Sequence, residues 1–403
     1  MKTQKVVTLG LGYIGLPTSA LIANNQIYVH GVDINQKVVD TINAGLIHIV
    51  EPDLDIAVAN AVQGGFLVAD TKPVSADVYL IVVPTPFKDK NEPDISFVIA
   101  ATKSVLPLMK KGDLFIIEST SPVGTTERIE KLIYSLRPEL KGEIFIAYCP
   151  ERVLPGNVMF ELVNNDRVIG GVNDSSTKKA AAFYKQFVKG DLHLTNARTA
   201  EMCKLVENSS RDVQIAFANE LSIICDKADI NIWELIQLAN KHPRVKILQP
   251  GCGVGGHCIA VDPYFLVAEY PMESKIIATA REVNNYKSFW CAEKVKTAKL
   301  EFQIKFGRKP HVAIMGLAFK PNIDDLRESP AKYIAQRIMQ DSQNEFYYIV
   351  EPNISEHPVF KIASLDEACK MADIIVFLVA HNEFKNLNID KTKIILDFCG
   401  VTE

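Results

Sequence analysis

The sequence predicts an α/β protein: two doubly wound domains joined by a long central helix and helical segment. Three observations predict it. A short apolar run enters the glycine turn Gly10-Leu11-Gly12-Tyr13-Ile14-Gly15, residues 191–242 contain neither glycine nor proline, and the C-terminal stretch repeats the plan of the N-terminal one.

Residues 6–9 are apolar and end in glycine, and a helix-compatible run follows over 18–23. Residues 28–32 then close at Asp33, completing strand, glycine turn, helix, strand and acid within about thirty residues. Residues 76–83, stopped by Pro84-Thr85-Pro86, and 114–117, stopped by Glu118-Ser119-Thr120-Ser121-Pro122, read as further buried strands. Short apolar strands alternating with helical stretches predict a parallel sheet covered on both faces. In the middle, Leu205, Ile215, Phe217, Leu221, Ile224 and Cys225 recur at helical spacing. They predict a helix over 198–228, about 45 Å long at roughly 1.5 Å per residue, suited to a spine between domains and a subunit interface.

The repeat then begins. Residues 311–315 run into Gly316 as 6–9 run into Gly10, and 347–350 end at Glu351 as the second strand ends at Asp33. Residues 372–379 and 393–397 echo 76–83 and 113–118. Both halves therefore read as Rossmann-like. The second turn, Gly316-Leu317-Ala318-Phe319-Lys320, has one glycine where the first has three, so its ligand is expected not to be a second dinucleotide. The expected domains are 1–195 for the dinucleotide, 196–300 for a helical dimerisation region, and 301–403 for a second Rossmann-like region.

Composition narrows the function. The 403 residues are 48% hydrophobic and 23% charged, which excludes a disordered chain. Forty-four Lys and Arg against 48 Asp and Glu give −4 with no block of one sign, so no nucleic-acid groove or polybasic membrane patch is expected. The uncharged stretch after Lys5 is interrupted by Gly10, Gly12, Gly15, Pro17, Thr18, Ser19, Asn24 and Asn25, too polar for a membrane span. Eight dispersed cysteines without a C-x-x-C pair read as free thiols in a reducing cytoplasm, and no metal site is expected.

Four groups of residues carry chemistry. In the glycine turn, Gly10 allows the tight bend, Gly12 lets backbone approach a pyrophosphate, and Gly15 lets helix pack on strand. Asp33 stands where a carboxylate accepts ribose hydroxyls and repels a 2′-phosphate, which favours NAD over NADP. In Gly251-Cys252-Gly253-Val254-Gly255-Gly256-His257-Cys258, the Cys258 thiol could attack an aldehyde, with His257 beside it as a source of positive charge. On residues alone, a buried structural cysteine, a metal ligand or a plain glycine loop remain open. Lys204, Asn208 and Arg211 share one helix face, fit either for an anionic substrate and an oxyanion or for solvent. Glu151 and Arg152, after Cys149-Pro150, and Lys320 and Arg327, at the second glycine turn, could serve as base and anion clamps or simply as exposed loops.

Taken together these segments resemble the UDP-sugar 6-dehydrogenase family. The resemblance rests on 10–17, Val83-Pro84-Thr85-Pro86, 118–126, Tyr148-Cys149-Pro150-Glu151-Arg152-Val153, 199–208, 240–245, 253–263 and 316–321, and it covers nearly the whole chain. It implies a four-electron, NAD-dependent oxidation of a UDP-sugar hydroxymethyl group to a carboxylate through a Cys258 thiohemiacetal and thioester. UDP-N-acetyl-D-mannosamine is the expected substrate, with UDP-N-acetylglucosamine or UDP-glucose as alternatives and a non-catalytic nucleotide-sugar-binding protein ranked below them. The family pattern makes Lys204 the acid/base and electrostatic stabiliser with Asn208, gives Asp262 and Thr120 a catalytic water, and gives Glu151 the hydrolytic one. It makes 301–403 a UDP-binding domain and puts Tyr13, Ile14, Asp33, Thr85 and Thr126 on NAD. It puts Arg152, Val153, Arg211, His242, Arg244, Gly253, Lys320 and Arg327 around the nucleotide sugar, with Arg244 reaching the site of the neighbouring subunit in a homodimer. Two positions depart from it: Ser210 where an aromatic residue is expected and Cys252 where proline is.

Overall fold

The computed structural model describes residues 4–88, 92–153, 156–340 and 346–402. Two compact units result, Met1–Glu207 and Asn208–Glu403, and the division falls inside one 32-residue helix, Ala197–Ala228.

The first unit is built on eight strands: β1 (Lys5–Leu9), β2 (Tyr28–Val32), β3 (Leu67–Asp70), β4 (Val78–Ile81), β5 (Leu114–Ile117), β6 (Phe145–Tyr148), β7 (Arg167–Gly171) and β8 (Leu192–Asn196). Their order is β3-β2-β1-β4-β5-β6-β7-β8. Strands through β6 run parallel, β7 pairs antiparallel with β6, and β8 follows β7 in parallel. Alternation along the strands fills two cores. Val6, Leu80 and Ile116 enter one, with Leu16 and Ile22 of the helix Gly15–Asn24; Val7, Ile81 and Ile117 enter the other, with Ile129 and Ile133 of the helix Thr125–Leu136. Because β4 and β5 are buried along their whole length, both faces must be apolar, which is why they read as unbroken apolar runs.

The second unit carries β9 (His311–Met315), β10 (Phe346–Val350), β11 (Ile374–Phe377) and β12 (Ile394–Asp397) in the order β10-β9-β11-β12, all parallel. The internal repeat extends to backbone detail. Gly10 (φ +94°) donates to the Val32 carbonyl at 2.8 Å, and Gly316 (φ +96°) donates to the Val350 carbonyl at 2.8 Å. A second 32-residue helix, Lys275–Phe306, precedes β9 and ends on Gly307 in the left-handed conformation. Against it the Asn208–Glu403 part of the first long helix makes a buried polar seam: Arg281 pairs with Asp212 at 2.6 Å, Asn284 binds Asp212 at 2.8 Å, and Lys287 donates to Ser222 at 2.7 Å. No helix of the described residues is long and apolar enough to cross a membrane.

Candidate active site

The order of the first sheet reverses between β1 and β4, and the loops after these strands flank that point. A Cβ on Gly10 would stand 2.5 Å from the Val82 carbonyl oxygen, and one on Gly15 would stand 1.8 Å from that of Gly10, so both glycines are required by packing. Gly12 differs: nothing lies within 4 Å of where its Cβ would be. The helix Gly15–Asn24 has no side-chain cap and no acidic residue in its first turn, so the positive end of its dipole is left to an anion. Asp33, at the end of β2, is braced by the Leu11 N–H on Oδ2 (3.1 Å) and the Asn35 N–H on Oδ1 (2.9 Å). An open glycine, an uncapped helix and a braced carboxylate fit a dinucleotide. Tyr13 is exposed, and Ile14 and Thr85 are half-buried at the same end of the sheet. Thr126 is fully buried, and both its N–H (2.7 Å) and hydroxyl (2.6 Å) donate to Glu201, which also caps Gly124 at 2.5 Å.

Lys204 is half-buried, and its Nζ donates to the Glu151 carbonyl at 2.8 Å. Glu151 itself is buried: Oε1 accepts the Arg152 N–H at 2.7 Å, and Oε2 lies 3.1 Å from Nη1 of Arg167. Arg152 forms a two-point pair with Glu207, Nε to Oε2 at 2.9 Å and Nη2 to Oε1 at 2.6 Å. Val153 and Thr120 are half-buried, the latter just beyond β5. Behind Glu151 lie groups that the sequence did not single out as functional. Arg167 opens β7, Tyr184 ends the helix Asp174–Tyr184, and the Tyr184 hydroxyl donates to Glu118 at 2.5 Å. Burial pushes the Glu118 carboxyl up to about 7, against the opposing pull of Arg167. It pushes the buried Cys149 thiol up to about 12.

In the second unit, the Cys258 carbonyl accepts from the N–H groups of Val261 (3.0 Å) and Asp262 (2.8 Å), folding the loop back just before the helix Asp262–Glu269. Asp262 is buried and accepts from Asn208 Nδ2 at 2.5 Å, which puts these two side chains in contact one turn after Cys258. Of the eight cysteines, all within the described residues, Cys258 alone is exposed, and none is in a disulfide. Cys252, at a departure from the family pattern, is buried with its thiol pushed up to about 12 by burial, and it packs in the core of this unit. Desolvation and the nearby Arg327 both push the His257 imidazole below its usual range, which works against a positive charge beside Cys258.

The second glycine turn is filled from within. Glu351, the counterpart of Asp33, accepts the N–H groups of Leu317 (2.7 Å) and Ala318 (2.9 Å), and the buried His381 lies 3.2 Å away. The Leu317 bond repeats the one that Leu11 makes to Asp33 in the first turn, and Ala318, in the place of Gly12, adds a second to the same carboxylate oxygen. Lys320 and Arg327 are exposed beside this turn, and Arg327 pairs with Asp325 at 2.5 Å. Arg211 is exposed on its helix, and residues 241–246, with His242 and Arg244, are all exposed. Gly253 has φ +139° and abuts Ser288, leaving no room for a side chain. Among the described residues no group of three or more His, Cys, Asp or Glu is placed to hold a metal ion.

Comparison with known proteins accounts for both units. Three domains of the UDP-glucose/GDP-mannose dehydrogenase family match the chain: the NAD binding domain over residues 4–188, the central domain over 198–286 and the UDP binding domain over 313–403. The chain is 54% identical to the UDP-N-acetyl-D-mannosamine dehydrogenase of Escherichia coli (strain K12), covering 100% of both proteins. It is 50% identical to the NDP-N-acetyl-D-galactosaminuronic acid dehydrogenase of Ralstonia nicotianae, covering 99% of this chain and 96% of that one. A UDP-D-ManNAc dehydrogenase structure from Pyrococcus horikoshii matches with a TM-score of 0.90 at 38% identity, over 99% of this chain and 96% of that one. The chain belongs to the UDP-glucose/GDP-mannose dehydrogenase family and is an NAD-dependent UDP-sugar dehydrogenase.

Proposed function

We propose that the protein oxidises the hydroxymethyl group of UDP-N-acetyl-D-mannosamine to the carboxylate of UDP-N-acetyl-D-mannosaminuronate, through covalent intermediates on Cys258. The observation that carries the reading is the exposure of Cys258 on a glycine loop, one turn before buried Asp262, while the other cysteines are withdrawn from solvent to differing degrees. The 54% identity to the Escherichia coli enzyme over the full length supports the substrate.

NAD, when bound at Gly10–Gly15 and Asp33, supplies the acceptor for each of the two hydrides. Lys204, with Asn208, takes the hydroxyl proton and stabilises the negative charge that develops on the sugar oxygen. The Cys258 sulfur adds to the aldehyde carbon, and the oxygen gains a proton to give a thiohemiacetal. Loss of the second hydride and of that proton leaves a thioester. Water, held by Thr120 and Asp262 and activated by Glu151, adds to the thioester carbon, and the Cys258 thiolate departs as the carboxylate forms. Retaining the aldehyde on sulfur keeps it from escaping between hydride transfers.

Arg152, Val153, Arg211, His242, Gly253, Lys320 and Arg327 surround the nucleotide sugar in this reading. Arg244 serves the neighbouring subunit of a homodimer, a role that the full exposure of its segment allows. The dispersed thiols suit a reducing cytoplasm. The Ralstonia nicotianae relative favours a second reading, the same chemistry on another N-acetylhexosamine nucleotide. Relative kcat/KM on UDP-N-acetylmannosamine, UDP-N-acetylgalactosamine, UDP-N-acetylglucosamine and UDP-glucose tests the choice. A preference for any sugar but the first overturns the substrate assignment and leaves the chemistry standing.

A further inference from the structure

Behind Glu151 the first unit buries a cluster of ionisable groups. Arg167 is 4% exposed, Glu118 3%, Glu151 9%, and Tyr184 and Cys149 are fully enclosed. The Arg167 guanidinium faces Glu151 Oε2 at 3.1 Å and lies over the Tyr184 ring at 5.1 Å, while Tyr184 donates to Glu118 Oε1 at 2.5 Å. Glu118 Oε2, Glu151 Oε2 and Arg167 Nε and Nη1 have no hydrogen-bond partner, although all are buried. The Arg167 guanidinium is thus aligned to no carboxylate: Glu151 lies 3.1 Å away without a hydrogen bond, and Glu118 acts on it through space with no ion pair between them. Glu351, buried to the same degree, has both oxygens hydrogen-bonded instead.

We propose that Glu118 is a positioning residue for Glu151: its proton decides whether Arg167 is held by Glu151 alone or shared between two carboxylates. With Glu118 neutral, Arg167 has one carboxylate partner and keeps Glu151 drawn into the protein. With Glu118 ionised, the guanidinium is divided and the Glu151 carboxylate is released toward water. The groups facing Glu118 are Cys149 and Glu151 from β6 and its following loop, Arg167 from β7, and Tyr184 from the helix Asp174–Tyr184. Burial is the largest influence on Glu118 and brings its titration to about 7, inside the working range of an enzyme. The inference rests on the hydrolytic role of Glu151 given above.

The test follows uronate release in single turnovers of the NAD-loaded enzyme with UDP-N-acetyl-D-mannosamine from about pH 6 to 8.5, with NADH counted in the same samples. The wild-type rate is expected to rise about three- to tenfold through pH 7, the size of a coupling near one pK unit. Glu118→Gln keeps the acceptor for Tyr184 but cannot ionise, and its rate is expected to be flat across the range. Tyr184→Phe removes a hydrogen bond that favours the ionised carboxylate, so its rise is expected at higher pH. Two NADH per sugar together with an unchanged rise in Glu118→Gln would overturn the inference and leave the proposed reaction intact. So would a variant slowed equally at every pH. One NADH per sugar in the wild type would remove the hydrolytic step and overturn both.

Discussion

Lys204 Nζ donates to the backbone carbonyl of Glu151 at 2.8 Å, tying the helix Ala197–Ala228 to the loop after β6. The contact uses main chain, so it survives any change in the Glu151 side chain and aims Lys204 independently of it. Lys204→Ala is therefore expected to lower kcat by about 100- to 1,000-fold, the usual loss when a preorganised stabiliser of developing charge is removed. KM for the UDP-sugar should move much less. Steady-state kinetics check the split, and an effect confined to KM would make Lys204 a binding residue only.

The glycine turn makes a prediction that separates binding from folding. A methyl at Gly12 meets nothing, so Gly12→Ala should leave the melting temperature within a few degrees of wild type while raising KM for NAD. Gly15→Ala drives its methyl into the Gly10 carbonyl and should destabilise the first unit outright. Thermal melts and NAD titrations of both variants check this. Equal NAD affinity in Gly12→Ala and wild type would contradict the assigned phosphate approach.

Stability should depend on pH with opposite signs in the two units. Burial raises the Glu118 carboxyl from 4.5 to about 7, so its contribution is full below 4.5 and is lost as pH rises through 7, by about 3 kcal/mol in all. For Glu351, burial pushes upward, but hydrogen bonds from His381 and the Leu317 N–H outweigh it and hold the carboxyl near 2. Its contribution is present above 4.5 and is lost as pH falls through 2, again by about 3 kcal/mol. Denaturant melts at several pH values should show Glu118→Gln flattening the alkaline loss and Glu351→Gln flattening the acid one.

Asp212 and Arg281 form a buried pair between the two long helices of the second unit. Asp212→Ala strands the guanidinium and should cost about 3–5 kcal/mol, whereas replacing both partners with apolar residues should cost much less. A double-mutant cycle by chemical denaturation measures the difference.

Much of this was legible in the sequence because strands buried on both faces are unbroken apolar runs and a dinucleotide turn needs its glycines. The repeat at Gly316 was visible for the same reason. Other features left weaker marks. The reversal at β7 leaves no local signal, since parallel and antiparallel strands share one alternation, and β8 is largely exposed. The helix Lys275–Phe306 went unread, although Pro271 and Gly307 bound it, because charge is scattered around its whole circumference. At the site, Cys258 and Asp262 lie four residues apart and Asn208 one helical turn from Lys204, so local spacing exposed them. Glu118, Arg167 and Tyr184 meet only after three separate segments fold, and no spacing rule connects them. Glu201, inside the 199–208 segment, caps the helix that begins at Thr125, a role that only the fold reveals.

The central claim is that one sugar gives up two hydrides on one enzyme because Cys258 retains the aldehyde. The most direct measurement is NADH formed per mole of UDP-N-acetyl-D-mannosamine, run to completion in wild type and Cys258→Ser. The account predicts two NADH and free uronate in the wild type, with uronate release lost or severely slowed in the variant. One NADH with free aldehyde in the wild type, or normal uronate release by Cys258→Ser, would contradict it.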